Sequence, residues 1–458
     1  MNNQNLKHLI IGFGLFAFIA IVLMAPSKDA AFWNSIALGG LMVFFWLFEV
    51  LPIYVTALFP LIFGIPLGVI NNAGLAGSYG HTTIYLFLGG FVLALALEKH
   101  DVHKQIAKRI IMVVGNSKAR LLLGFILSTA FLSMWISNTA TALMMLPMAL
   151  AVITAIPKKK GKSRFSLFLL LSIAYASSVG GMATIVGSPP NGSMQSILAQ
   201  NYDVHISFAE WMAFGIPVSY AMQFMLFGFF YLFLGKERNE KVIVELEKKK
   251  WTVPQIKVLL LFLAVVLAWS FKSLIEQYWG IPLEDFGPAL LGAALLFVIP
   301  EKKSKMLLEW KDTRNLPWGI LILFGGGLAL AKMFEVNGVI TEFSSLFLEF
   351  KTAGIVLILL VVVTVAIFGT ELMSNTALVA VFIPVIAQFA LQSDYSIIQL
   401  CVPVTLAASC AFMLPVGTPP NAIVFSSGEV HINQMARYGF LLNIISIFLI
   451  VFFASLYF

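Results

Sequence analysis

Four short polar words stand in an otherwise apolar chain, and their residue types are those that bind small ions. Ser137-Asn138-Thr139 is followed by Gly187-Ser188-Pro189-Pro190-Asn191, and Ser374-Asn375-Thr376 by Gly417-Thr418-Pro419-Pro420-Asn421. An asparagine amide offers its oxygen to a cation and its nitrogen to a carboxylate, so Asn138 and Asn375 suit a site that takes both. The hydroxyls of Ser137, Thr139, Ser374 and Thr376 add to each set. In the proline words the prolines remove backbone donors and break a helix while the glycine lets the chain turn, so neighbouring carbonyls are expected to face a cavity and attract cations. Where the chain reverses at Ser-Asn-Thr, the second arm starts with free amides and the positive end of a helix dipole, which attract anions. Two equivalent anion-binding tips suit a ligand with an anionic group at each end, a short dicarboxylate. No Lys or Arg lies in any of the words, so a bound dianion needs accompanying cations or another compensating charge. Any one word could be a helix cap or kink alone; four in a repeated order are poorly explained that way.

These words must be positioned by a repeated frame. Phe87-Leu88-Gly89-Gly90 answers Leu323-Phe324-Gly325-Gly326 at an offset of 236, against 237 for the Ser-Asn-Thr pair and 230 for the Pro-Pro-Asn pair. The chain is therefore two copies of one design. With 60% hydrophobic and 11% charged residues over 458 positions and a mean hydropathy of +0.93, it is a polytopic membrane protein rather than a soluble one. Its net charge of +7 sits in short loops and encodes orientation, not nucleic-acid binding. Apolar spans are expected at 8–24, 32–50, 53–70, 82–98, 165–186, 211–234, 256–271, 288–300, 317–334, 395–416 and 438–457. The first follows Lys7 without a small-residue cleavage site and reads as a retained helix. The basic loops 99–120, 158–164, 236–250 and 302–314 face the cytoplasm, with the N-terminus inside and the C-terminus outside.

Two further apolar blocks, 121–156 and 353–390, carry the Ser-Asn-Thr words at their centres. The sixteen residues 121–136 make roughly 24 Å of helix, short of a hydrocarbon core of ~30 Å, so each block is expected to be a re-entrant hairpin. The expected fold is all-α: 11 transmembrane helices with two re-entrant hairpins in two inverted repeats, the plan of secondary transporters with sites at the repeat interface.

The stretch Ser133-Met-Trp-Ile-Ser137-Asn138-Thr139-Ala-Thr141, the stretch Thr370-Glu371-Leu-Met-Ser374-Asn375-Thr376 and the two Pro-Pro-Asn words resemble the divalent anion/sodium symporter family, which includes bacterial succinate transporters, mammalian dicarboxylate and citrate carriers and the fly Indy transporter. The resemblance runs from about residue 30 to the C-terminus. It implies a homodimer working as an elevator in the cytoplasmic membrane: 1–118 and 235–350 as scaffold, 119–234 (hairpin 121–156, broken helix 165–200) and 351–458 (hairpin 353–390, broken helix 395–426) as the moving parts. By that resemblance Ser137, Asn138, Thr139, Ser188, Pro189, Ser374, Asn375, Thr376, Thr418 and Pro419 surround the carboxylates of a succinate-, malate- or 2-oxoglutarate-class substrate, with citrate the alternative. One sodium ion would sit at Ser133, Ser137, Asn138 and Gly187, a second at Thr370, Met373, Asn375 and Gly417, Met373 and Gly417 acting only through backbone carbonyls. The family contains sodium symporters and dicarboxylate exchangers, and both coupling modes stay open; no organic cofactor is implied.

Other residues are less telling. Glu371 is an acid inside an apolar hairpin, and both an ion-linked role and a structural anchor stay open. Lys332 ends its span and reads as a snorkelling residue more readily than as a charge compensator. His100 and His103 read as a solvated or headgroup-facing surface, Lys158-Lys159-Lys160 as an anchor at anionic lipid headgroups, and Cys401 and Cys410 as core. A channel has no need of two opposed hairpins. An enzyme should cluster its acids, bases or ligands, whereas the six histidines stand at 8, 81, 100, 103, 205 and 431.

Overall fold

An apolar segment in lipid must satisfy its own backbone, which dictates helix for nearly every long run of this chain. The computed structural model describes residues 3–156, 164–242, 250–280, 282–302, 305–345, 354–393 and 395–457; Lys158-Lys159-Lys160 lies outside them. Eight of the described helices are long and apolar enough to cross a membrane, among them Ala30–Phe48, Arg164–Gly181, Trp318–Val336 and Ile432–Tyr457. The only strands among the described residues are the short antiparallel pair Pro300–Lys302 and Lys305–Met306.

Three expected spans are shorter than anticipated. The 53–70 stretch is broken into Ile53–Thr56 and Phe59–Phe63; 288–300 overlaps Phe286–Leu296, which begins two residues earlier and ends at Leu296, and 395–416 contains Ile397–Ala407. Helices of eleven residues rise only ~16 Å. A proline lies within or beyond each of these stretches. Pro60 begins the second piece of the first stretch, and Gly64 and Gly68, the latter at φ 68°, end it. Pro300 opens the strand pair, and Pro415 lies beyond the end of the Ile397–Ala407 helix.

The Gly-Gly helices show how the halves fit together. Thr82–Lys99 packs on Phe286–Leu296 of the other half, and Trp318–Val336 packs on the helical pieces between Ile53 and Tyr79. A Cβ at Gly89 would meet the Ala289 backbone, and one at Gly326 would meet the Ala57 backbone. Gly89 and Gly326 differ by 237, the offset of the Ser-Asn-Thr words, so packing matches the Gly-Gly helices one residue further on than the 236 at which their words align in sequence. Phe87 and Phe324, also 237 apart, touch each other with ring centroids 4.6 Å apart. Matched residues in mutual contact lie where a twofold relation between the halves would put its axis.

The centre of the molecule is the Arg164–Gly181 helix, buried almost throughout. On it pack the arms of the first block, Lys118–Ser133 and Asn138–Thr154, while those of the second, Ile355–Thr370 and Asn375–Leu391, pack on its counterpart Ile397–Ala407. The intervening turns, 134–137 and 371–374, match in length, and Pro147 and Pro384 interrupt the second arms at the same place. The basic 99–120 loop is mostly an amphipathic helix, Val102–Val114, with His103, Ala107 and Ile111 on its buried face. His103 is therefore not solvated. Its Nδ1 lies 2.8 Å from the Leu97 carbonyl, and the half-buried His100 places Nε2 2.9 Å from that of Leu307. Lys332 pairs with Glu335 at 3.0 Å. Cys401 and Cys410 are buried free thiols.

Candidate functional site

Each Ser-Asn-Thr word is a helix start. Ser137 caps Asn138–Thr154, its Oγ accepting from the Ala140 amide at 3.2 Å. Ser374 holds the same position before Asn375–Leu391, with φ and ψ of −55° and 132° against −55° and 143° at Ser137. Thr139 is half-buried and Thr376 buried, each at the second position of its arm. Both asparagines fold back on the residue five positions earlier: the Ser133 hydroxyl meets Asn138 Oδ1 at 2.6 Å, and the Thr370 hydroxyl meets Asn375 Oδ1 at 2.7 Å. Thr370 Oγ1 also lies 2.8 Å from the Ala408 carbonyl. Met373 turns its side chain into the apolar core.

The first tip gathers oxygens. The Asn138 amide atom that faces Ser133 Oγ also lies 3.0 Å from the Ser177 carbonyl and 3.2 Å from that of Gly187. With its nitrogen inward the amide donates to all three. With its oxygen inward it completes a set of uncharged oxygens, the donor type that unwound transporter helices offer to sodium. The residues present thus fit a monovalent cation, and the Ser177 carbonyl belongs to the set although nothing in the sequence singled it out.

The proline words also start helices. Pro189 and Pro190 occupy the first two positions of Pro189–Tyr202, and Pro419 and Pro420 those of Pro419–Ser426. Proline fits there because those amides have no intrahelical partner. Ser188 and Thr418 are extended N-caps, Thr418 Oγ1 accepting from the Asn421 amide at 3.3 Å. The asparagine of each word holds the preceding loop: Asn191 Nδ2 donates to Gly181 O at 2.9 Å and Thr184 O at 2.8 Å, and Asn421 Nδ2 to Ala411 O and Leu414 O, each at 2.9 Å. All of these positions are related by the 230-residue offset. Their role was legible in the repeated Pro-Pro-Asn, yet sequence reasoning assigned the serine, threonine and prolines and passed over the asparagines.

The halves interleave. The Pro419–Ser426 helix packs on the arm beginning at Asn138, and the Pro189–Tyr202 helix on the arm beginning at Asn375; Tyr202 donates its hydroxyl to the Pro384 carbonyl at 2.8 Å. Each second arm is therefore packed against the proline-word helix of the other half.

Glu371 is held entirely by nitrogen donors. Its Oε1 accepts from the Phe412 and Met413 amides at 2.7 and 2.8 Å and from Asn443 Nδ2 at 2.8 Å, and Oε2 accepts from the Leu414 amide at 3.1 Å. This geometry makes it an anchor between the second tip and the loop before Gly417, whose own amide donates to Leu414 O at 3.1 Å. In the first half the Gly187 amide donates to Thr184 Oγ1 at 3.0 Å, and that hydroxyl reaches the Met134 carbonyl at 2.5 Å. Among the described residues no three His, Cys, Asp or Glu side chains come together as a metal site.

A many-helix membrane protein with matched polar helix starts in two interleaved halves has the plan of a membrane transporter. The chain belongs to the sodium:sulfate symporter family: the model of that family's transmembrane region matches residues 5–458. It is 36% identical over 476 residues to a sodium-dependent dicarboxylate transporter, SdcS, of Staphylococcus saprophyticus, covering 98% of this chain and 91% of the relative. The protein of the same name from Staphylococcus aureus strain USA300 is 35% identical over 433 residues, covering 89% and 82%. Among solved structures, the Alcanivorax borkumensis YdaH transporter shares the fold at a TM-score of 0.59 and 10% identity, covering 84% of this chain and 87% of that one. Neisseria gonorrhoeae MtrF does so at 0.58 and 8%, covering 87% and 84%.

Proposed function

We propose that this protein is a sodium-coupled carrier of C4 and C5 dicarboxylates of the succinate, malate and 2-oxoglutarate class. The observation that carries the reading is the pair of matched tips, in which Ser133–Asn138 and Thr370–Asn375 repeat the same hydroxyl-to-amide contact at the start of a helix. Each tip offers amide donors to one carboxylate, while neutral oxygens gathered at Asn138 suit the cation that a dianion must bring with it in apolar surroundings. The names of the staphylococcal relatives support sodium and dicarboxylate together.

On this reading the substrate lies between Ser137, Asn138, Thr139, Ser188 and Pro189 of one half and Ser374, Asn375, Thr376, Thr418 and Pro419 of the other, with sodium at Ser133, Ser137, Asn138 and Gly187 and at Thr370, Met373, Asn375 and Gly417. The blocks around 121–156 and 353–390 are re-entrant hairpins, and eleven segments cross the cytoplasmic membrane in two inverted repeats with the N-terminus inside and the C-terminus outside. The hairpins and broken helices within 119–234 and 351–458 move as elevators against a scaffold of 1–118 and 235–350, in a homodimer. Arms of sixteen and seventeen residues on either side of each tip support the hairpin reading.

The test is uptake of labelled succinate by proteoliposomes, with and without an inward sodium gradient and with and without internal unlabelled dicarboxylate. Sodium should drive uptake into vesicles lacking internal dicarboxylate; uptake that needs internal dicarboxylate and ignores sodium would make the protein an exchanger. Butyrate, with one carboxylate, leaves the donors of one tip unpaired and should compete roughly five- to a hundredfold less well than succinate. Equal competition by butyrate would sink the two-tip site.

A further inference from the structure

We propose that Glu371 is a positioning residue for the second binding word: its carboxylate fills a nest of three backbone amides that Pro415 opens, and so fixes the loop bearing Gly417 and Thr418 to the Ser374-Asn375-Thr376 tip. The inference rests on the reading that this tip binds ion and substrate.

Three positions differ between the halves as a set. Met134, Thr184 and Ile185 in the first half correspond to Glu371, Leu414 and Pro415 in the second. In the first half the central helix runs to Gly181, and the next two amides are taken locally, Met182 by the Val179 carbonyl at 3.2 Å and Ala183 by that of Gly180 at 3.1 Å. The loop is then tied to the tip by the uncharged contact of Thr184 Oγ1 with the Met134 carbonyl.

That solution is closed to the second half. Pro415 has no amide proton, its ring clashes with the carbonyl four residues back, and it drives Leu414 out of the helical region. The helix stops at Ala407, four residues before Ala411, the counterpart of Gly181. The amides of 412, 413 and 414 lose their helical acceptors, and one of those acceptors, the Ala408 carbonyl, faces the Thr370 hydroxyl instead. Successive amides freed in this way form an anion-binding concavity. Glu371, on the turn of the hairpin, takes all three, and Asn443 of the Ile432–Tyr457 helix braces it from behind. Asn421 holds the carbonyls of the same loop at both ends. The loop is thus gripped by its amides from the tip and by its carbonyls from the proline word. The carboxylate also reaches the glycine of that word: a Cβ on Gly417 would lie 3.1 Å from Glu371 Oε2.

The experiment grafts the first half's solution onto the second. Glu371→Met should raise the half-saturating sodium and succinate concentrations by about tenfold or more, because the loop no longer holds its register against Asn375. The triple variant Glu371→Met, Leu414→Thr, Pro415→Ile should recover both constants to within about threefold of the parent, since the helix can then extend and a hydroxyl again ties loop to tip. The mirror variant Met134→Glu should be harmful, because the first loop has already taken its amides at Met182 and Ala183. Melting temperatures of the same proteins provide a second readout that needs no transport: low for the single variant, recovered in the triple. Parent-like sodium and succinate constants for Glu371→Met, or a triple variant no better than the single in both constants and melting, would overturn the proposal. A single variant too unstable to purify leaves the decision to the triple, which must then fold and transport. A parent protein that carries no dicarboxylate would overturn the transport reading instead, while the melting series would still decide the pairing of Glu371 with Pro415.

Discussion

The residues beside the first tip are covered and those beside the second are open, although both asparagines make the same contact with the hydroxyl five positions earlier. Trp135 is half-buried, with its ring 5.2 Å from that of Phe262 and 6.4 Å from that of Phe208, and Val186 is 7% exposed. Their counterparts Leu372 and Val416 are 65% and 68% exposed, and Pro419 is exposed where Pro189 is half-buried. The contacts of Asn138 and Asn375 with the hydroxyls behind them differ by only a tenth of an ångström. Each tip therefore carries its own assembly, held within the half, while its cover depends on what the rest of the molecule places against it. Such a separation suits the proposed carrier. A site whose internal geometry is independent of its cover can exchange one cover for another without being taken apart.

The largest effect should come from breaking both tips at the shared element. Asn138→Ala and Asn375→Ala each remove a side chain that closes its tip, and uptake of labelled succinate in proteoliposomes should fall by about a hundredfold or more for either, with protein yield and melting little changed. If one of the two retains near-parent uptake, the halves do not contribute equally to the site.

A middle-sized effect should separate the loops behind the tips. Asn191→Ala and Asn421→Ala each remove a side chain that donates to two carbonyls, at about 1–3 kcal/mol per buried partner left unpaired. The first loop keeps its local amide bonds at Met182 and Ala183, whereas the matched amides of the second are held by Glu371 instead. Asn421→Ala should therefore lower the melting temperature in detergent by several degrees more than Asn191→Ala. The reverse order would show that the second loop is the better supported of the two.

The smallest effect concerns cover. In a background of Cys401→Ala and Cys410→Ala, Leu372→Cys should react rapidly with a water-soluble maleimide and Trp135→Cys slowly, with transport little affected by Leu372→Cys. Saturating succinate and sodium should slow labelling of Leu372→Cys. Equal rates at both positions would mean that the difference in exposure belongs to one conformation that the protein seldom occupies.

Much of this was legible without coordinates because repetition is a property of sequence. The words at 137–139 and 374–376, their offset of 237 and the break of helix at each proline word follow from residue order and from the few conformations that glycine and proline permit. Length also told: the sixteen residues before Ser137 anticipated the sixteen-residue helix Lys118–Ser133. What periodicity could not give was where apolar runs stop. The 53–70 and 395–416 stretches read as spans because hydropathy is blind to Pro60 and to the way Pro415 unwinds the chain before it. His103 was read as exposed because charged neighbours surround it in sequence, whereas the amphipathic face of Val102–Val114 turns it inward.

The sequence by itself determined a membrane protein in two copies with polar, helix-breaking words at matched places, since composition, helix-breaking residues and repeats are local and need no partner to be read. Only the tertiary structure decided which half supplies what. It set the proline-word helices against the arms of the opposite half, chose a hydroxyl to tie one loop and a carboxylate for the other, and covered Trp135 while leaving Leu372 open. The physical reason is that a buried donor or acceptor must find a partner wherever the fold happens to bring one within about 3 Å. That partner comes from a segment tens or hundreds of residues away, which no local pattern encodes.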